Sequence, residues 1–82
     1  MHIRTCYVLT RERVARTPGE VKQRDILNVY TDLMQCKRDA MDDTRTVSEY
    51  MHGWDVTDFG WQGWTAGCTY LYRIERHDLI GE

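Results

Sequence analysis

His2, His52 and His77, with Cys6, Cys36 and Cys68, are the residues through which this chain could hold a metal or form a covalent intermediate. None of the histidines has a partner at HExxH spacing and no CxxC pair occurs, so neither a helical zinc pair nor a knuckle is encoded locally. One combination needs the fold to decide it: Cys6, Cys68 and His77 would meet if the first and last strands were neighbours, and a Cys-His nucleophile there would also need an orienting carboxylate such as Asp78. The simpler reading is unconnected histidines at chain ends and loops. Three cysteines at wide, even spacing suit no disulfide framework and read as small apolar residues. Catalytic residues, metal and cofactor are therefore expected to be none.

The carboxylates form a second set. Asp39, Asp42 and Asp43 follow an apolar run, and Asp55 and Asp58 flank Val56 and Thr57. A cation loop would need more oxygen ligands around a sharp glycine bend, and the EF-hand pattern is absent. With Glu49 these acids could imitate nucleic-acid phosphates toward a basic protein groove, or simply form a solvated face. On the basic side, Arg11, Arg13, Arg16, Lys22 and Arg24 cluster in sequence, and Tyr70 and Tyr72 alternate as base-stacking residues would. No RNP-like motif accompanies them. A net charge of -2 and a pI near 5.9 also argue against a dedicated nucleic-acid binder. That small net charge conceals an asymmetry: residues 1–38 carry eight Lys/Arg against four Asp/Glu, and residues 39–82 three against nine. The two halves either make a dipolar surface or pair with each other in the fold, and pairing is the reading favoured here.

Aromatics supply the third set. WDVTDFGWQGW, residues 54–64, holds four of the nine aromatic residues and two glycines. Tryptophan dominates interface hot spots because each one brings roughly 150–250 Å² of contact area at small entropic cost. Trp54 and Phe59 are assigned to the core. Trp61 and Trp64, beside glycines, are candidate surface anchors, rimmed by Asp55 and Asp58.

The elements that must position these residues follow from pattern. Eighty-two residues imply a single α+β domain spanning 1–82, and 41% hydrophobic with 29% charged residues is the composition of a folding chain. At this size only about 60% of the unfolded surface is buried. No apolar run approaches the roughly 18 residues of a membrane span, and the start, MHIRTC, lacks a signal-peptide h-region. A cytoplasmic location and no membrane partner are expected. His2 to Arg13 reads as a strand, with Ile3, Thr5, Tyr7 and Leu9 on one face and Arg4, Cys6 and Val8 on the other. Arg11 and Arg13 fall beyond the core.

Thr17-Pro18-Gly19-Glu20 has the form of a capping box and opens a predicted helix of about six turns. Its apolar half holds Ile26, Leu27, Val29, Tyr30, Leu33, Met34, Cys36, Ala40 and Met41, with Lys37 misplaced among them and expected to snorkel. Asp42-Asp43-Thr44 interrupts that pattern. Residues 46–52 then read as a short helix with Gly53 as its stop, or as a strand from Thr44 to Met51. A hairpin closes the chain, with one strand near Asp55 to Phe59, a tip at Gly60 to Gly63 and a return strand from Trp64 to His77. Gly67 in that return would mark a bulge or a close approach. The expected fold is a small sandwich: an antiparallel sheet of about three strands under one long helix, in the order β-α-(short α or β)-β-β. One helix covers one sheet face, so the other is free for a partner or a second copy of the chain.

The function expected from these observations is non-enzymatic. A rigid scaffold would present Trp61 and Trp64, with Asp55, Asp58, Asp42 and Asp43, to a larger protein or complex and act by occlusion. Small regulators of this kind include phage-encoded inhibitors of host defence, such as anti-CRISPR proteins, though no motif here matches that class. The alternative is a nucleic-acid-binding regulator using Arg11, Arg13, Arg16, Lys22 and Arg24.

Overall fold

A computed structural model of the chain describes residues 2–13, 23–47 and 49–81. Alternation in the first segment produces the expected strand β1 (His2–Arg13). Tyr7, Leu9 and Arg11 point to one side and Val8 and Thr10 to the other, and both Leu9 and Thr10 are buried, so the strand is covered on both faces at its middle. Gln23–Tyr30 forms a second strand, β2, antiparallel to β1. The single helix, α1, spans Leu33–Thr46. Three further strands, β3 (Asp55–Thr57), β4 (Gly60–Trp64) and β5 (Tyr70–Gly81), complete a five-stranded antiparallel sheet in the order β2-β1-β5-β4-β3. No helix among the described residues is long and apolar enough to cross a membrane.

The α+β class holds, but the sheet has five strands where about three were expected. Two strands were hidden. The long predicted helix covers β2 as well as α1, because Asp32 caps the true helix start: its side chain accepts a hydrogen bond from the Met34 N–H at 2.9 Å. The capping box at Thr17 to Glu20 lies outside the described residues. The helix also runs through Asp42-Asp43-Thr44 rather than stopping there. Thr44 and Thr46 donate their hydroxyls to the carbonyls of Met41 and Asp43 at 2.6 and 2.7 Å, a local bond that helices accommodate. No helix follows among the described residues of 47–52, where Val47 is the C-cap of α1 and Met51 forms an isolated antiparallel bridge with Thr65.

The last region is a three-stranded meander, not a hairpin. Its first turn is at Asp58 and Phe59, Gly60 to Trp64 is itself a strand, and the second turn takes residues 66–68. Gly67 is thus a turn residue whose N–H donates to Glu49 Oε1 at 3.0 Å. Gly60 is a close-approach glycine rather than a tip: at φ +150° a Cβ there would strike the Ile74 carbonyl oxygen.

The core lies between α1, the 49–54 segment and one sheet face: Leu9, Cys36, Ala40, Met51, Tyr72 and Ile74 are buried, with Tyr7, Leu27, Tyr30, Leu33, Trp54, Trp61 and Tyr70 packed around them. On the opposite face, Arg24 of β2 forms an ion pair with Glu75 of β5 at 2.9 Å. That bridge has to cross β1, where Thr10 lies between Val8, the partner of Glu75, and Glu12, the partner of Arg24. Ion pairing therefore covers part of the face the helix leaves open. Ile26 and Val29 remain exposed on it along β2.

Candidate functional site

Alternation along β4 decides how the aromatic residues are presented. Trp61 faces the helix side, opposite Ile74, and Trp64 faces the other side, opposite Leu71. The two candidate anchors therefore lie on opposite faces of the sheet and can be reached together only from its edge. Trp61 is half-buried with Tyr7 at 5.9 Å between ring centroids, and the Lys37 ammonium sits 5.2 Å from its ring centroid. The misplaced lysine of the helix thus has a partner in a cation-π contact. Trp64 is 41% exposed. Trp54 packs against the core as expected, whereas Phe59 lies in the turn before β4 with Arg73 stacked 4.6 Å above it.

Two clefts flank the short edge strand β3. The first, about 370 Å³, is lined by His52, Gly53, Trp54, Asp55 and Trp64. It exists because β3 ends at Asp55: Asp55 faces Gln62, and beyond that pair Trp64 has no strand beside it. By register Asp55 and Trp64 are diagonal neighbours on one sheet face, a spacing of about 7–8 Å between their backbones. Tyr50, 59% exposed, continues the aromatic surface through an edge contact with His52 at 4.9 Å. The second cleft, about 280 Å³, is lined by residues 56–61 together with Arg76 and Asp78. Val56, at the end of the second cleft nearer the first, is 82% exposed. Asp55 with Trp64, and Asp58 with Trp61, thus fall in separate clefts on one edge of the molecule.

The segment bearing His52 and Gly53 is fixed from both sides. Met51, only 2% exposed, is buried over Gly63, and Ala66 donates its N–H to the Tyr50 carbonyl at 2.8 Å. The Glu49 carboxylate accepts from the Thr65 hydroxyl and the Gly67 N–H at 3.1 and 3.0 Å. One wall of the first cleft is therefore held by the β4–β5 turn.

The two helix carboxylates separate. Asp42 is exposed, but Asp43 is part of an interior network: it accepts from the Tyr72 hydroxyl at 2.6 Å and from Arg11 at 2.8 Å. Arg11 also reaches Asp25 at 3.6 Å and lies 5.7 Å from the Tyr70 ring centroid. Burial pushes the Tyr72 pKa up, and the Asp43 hydrogen bond and charge add to it, so the phenol stays protonated. Burial works to lower the Arg11 pKa, but Asp43 and Tyr72 outweigh it and the pKa is raised. Arg11 is thus not beyond the core, as its position in the strand suggested, and Asp43 is not part of an open acidic face.

Of the other basic-patch residues, Arg24 is held by Glu75, Arg13 is exposed at the end of β1, and Arg16 and Lys22 lie outside the described residues. The Arg11–Asp43 and Arg24–Glu75 pairs each join the basic half of the chain to the acidic half. Cys6 and His77 are direct cross-strand neighbours, since β1 and β5 pair, but Cys68 belongs to the 66–68 turn. Among the described residues no three His, Cys, Asp or Glu side chains are grouped to hold a metal.

No protein-family model matches the chain, and no curated protein or solved structure does either. Its own geometry is the ground for a functional reading.

Proposed function

We propose that the protein is a non-enzymatic protein-binding module of the regulator or inhibitor class, which acts by covering part of a larger protein. The contact surface is the β3–β4 edge: Trp64, Trp54, His52 and Asp55 around one cleft, Val56 at the crest, and Asp58 with Trp61 at the other. The observation that carries this reading is exposure. Val56 is 82% and Trp64 41% solvent-exposed on an edge whose strand has only three residues. Apolar surface of this kind, rimmed by carboxylates, is what a partner buries, and aromatic anchors in a pocket supply most of the energy in such contacts. The nucleic-acid alternative is weaker, because Arg11 and Arg24 already have carboxylate partners within the fold.

The test is affinity purification from the native cells after nuclease treatment, alongside Trp64→Ala and Val56→Asp variants with unchanged thermal midpoints. A stoichiometric protein that survives nuclease, is lost with either variant, and has its own activity blocked by the wild-type chain is the expected result. Recovery of nucleic acid alone, or a partner indifferent to both substitutions, overturns the reading.

A further inference from the structure

The first cleft supports a narrower inference about what the partner inserts there, and it rests on the protein-binding reading above. This chain repeatedly seats cations on its aromatic rings: Arg11 over Tyr70, Lys37 over Trp61 and Arg73 over Phe59, at 5.7, 5.2 and 4.6 Å. Trp54 and Trp64 have no such cation among the described residues, although indole is the strongest cation-π acceptor. Both line the same cleft, and so does Asp55, a carboxylate with no ion-pair partner among the described residues. An aromatic lining beside an unneutralised carboxylate is complementary to a cation.

We propose that this cleft receives an arginine side chain of the partner protein. A guanidinium is planar, so it stacks on indole, and its fork of N–H donors matches a carboxylate in a way that a lysine ammonium does not. Arginine is also enriched with tryptophan at interface hot spots. A volume of about 370 Å³ lies at the low end of ligand pockets and leaves room for an arginine side chain. Gly53 lines the cleft; a Cβ there would meet nothing within 4 Å and its φ is not in the left-handed region, so a larger residue can stand at 53 without backbone strain.

The experiment titrates the full chain with N-acetyl-arginine amide, its neutral isostere N-acetyl-citrulline amide, and N-acetyl-lysine amide, following the indole N–H signals of Trp54 and Trp64 by NMR. Arginine is expected to shift both signals saturably, with citrulline and lysine each about fivefold weaker or more. Asp55→Asn should reduce arginine binding to the citrulline level, and Gly53→Leu should abolish it. Asp25→Asn, on β2 at the opposite edge of the sheet, removes the same charge and should leave the arginine titration unchanged. Equal binding of citrulline and arginine, equal binding of lysine and arginine, or no saturable shift overturns the assignment. Asp55→Asn is isosteric and keeps the test decisive if Gly53→Leu does not fold. If arginine fails to bind while a Trp64-dependent protein is still captured, only the assignment of the inserted side chain falls. If arginine binds but no protein is captured, it is the protein-binding reading that falls.

Discussion

Gly63→Ala should loosen the whole β4 side of the molecule. Gly63 faces Tyr72 in the sheet, and the Met51–Gly53 segment crosses directly above it. A Cβ at Gly63 would collide with Met51 Sδ, stand 3.1 Å from Met51 Cγ and lie 2.7 Å from the Gly53 carbonyl oxygen. The thioether could swing aside only by giving up its place in the core. The Gly53 oxygen is backbone and cannot turn away alone, so the segment has to lift. Overpacking of this kind costs roughly 1–3 kcal/mol, and we expect about 2. In a domain of this length that lowers the thermal midpoint by roughly 8–16 °C.

The assay is urea and thermal unfolding followed by tryptophan fluorescence, with Gly53→Ala as the control. A Cβ at Gly53 meets open space, so the control should stay within about 0.5 kcal/mol of wild type. Met51→Ala alone should cost about 2–5 kcal/mol, and combining it with Gly63→Ala should cost less than the two added, because both act on one volume. A Gly63→Ala loss under about 0.5 kcal/mol, or a Gly53→Ala loss equal to it, would refute the reasoning.

Gly60→Ala should cost more than Gly63→Ala, about 3 kcal/mol by urea unfolding, since its Cβ meets the Ile74 carbonyl oxygen and its φ of +150° disfavours any side chain. Cys68 has φ 54°, so Cys68→Gly should raise stability by about 1 kcal/mol, and an unchanged or lower midpoint would count against strain there. Tyr72→Phe removes the hydroxyl donated to half-buried Asp43 at 2.6 Å and should cost about 1.5–3 kcal/mol in the same assay. Burial, aided by Asp39, raises Tyr30 from 10.0 to about 12 and Cys36 from 9.0 to about 12. Both neutral forms are favoured by folding, so their stabilisation is complete below the unfolded values and is lost as pH rises through about 12. The urea midpoint should fall between about pH 9 and 12, less steeply in Tyr30→Phe, and equal slopes for the variant and wild type would contradict this.

How far the fold was legible depended on whether a pattern had one cause. β1 alternated cleanly and was read correctly. β2 was read as helix because its register slips between Leu9 and Thr10 of β1, leaving Leu27 as an extra residue in the strand. A bulge of that kind puts Leu27 and Tyr30 toward the core and leaves Ile26 and Val29 exposed, so each face repeats at three residues, which imitates helical spacing. Lys37 was marked as out of place, but the ring that receives it comes from β4, far along the chain. Gly60 and Gly63 looked like turn punctuation, whereas the neighbours that require them, Ile74 and Met51, are visible only in three dimensions. The same misreading joined Trp61 to Trp64: residues three apart can share the side of a turn, but in a strand they face opposite ways. Asp55 and Trp64 stand out in the sequence by residue type alone. His52 and Gly53 were missed as site residues because no spacing signal links them to Trp64, and Tyr50 was missed for the same reason.

The pairing of β1 with β5 sets the order in which this molecule can assemble. Arg13 and Tyr70 face each other across the sheet, with residues 14–69 between them, and the register runs on until His2 meets Gly81. Closing so large a loop is entropically unfavourable before any of the core has formed, and chains dominated by distant contacts fold slowly for that reason. β1 and β2 can pair early as a local ribbon, but Leu9 remains uncovered until Ile74 arrives beside it. On the ribosome β1 must wait for β5, with its inner edge open in the interval. That waiting period, rather than the finished sheet, is when the unpaired edge of β1 is most open to aggregation.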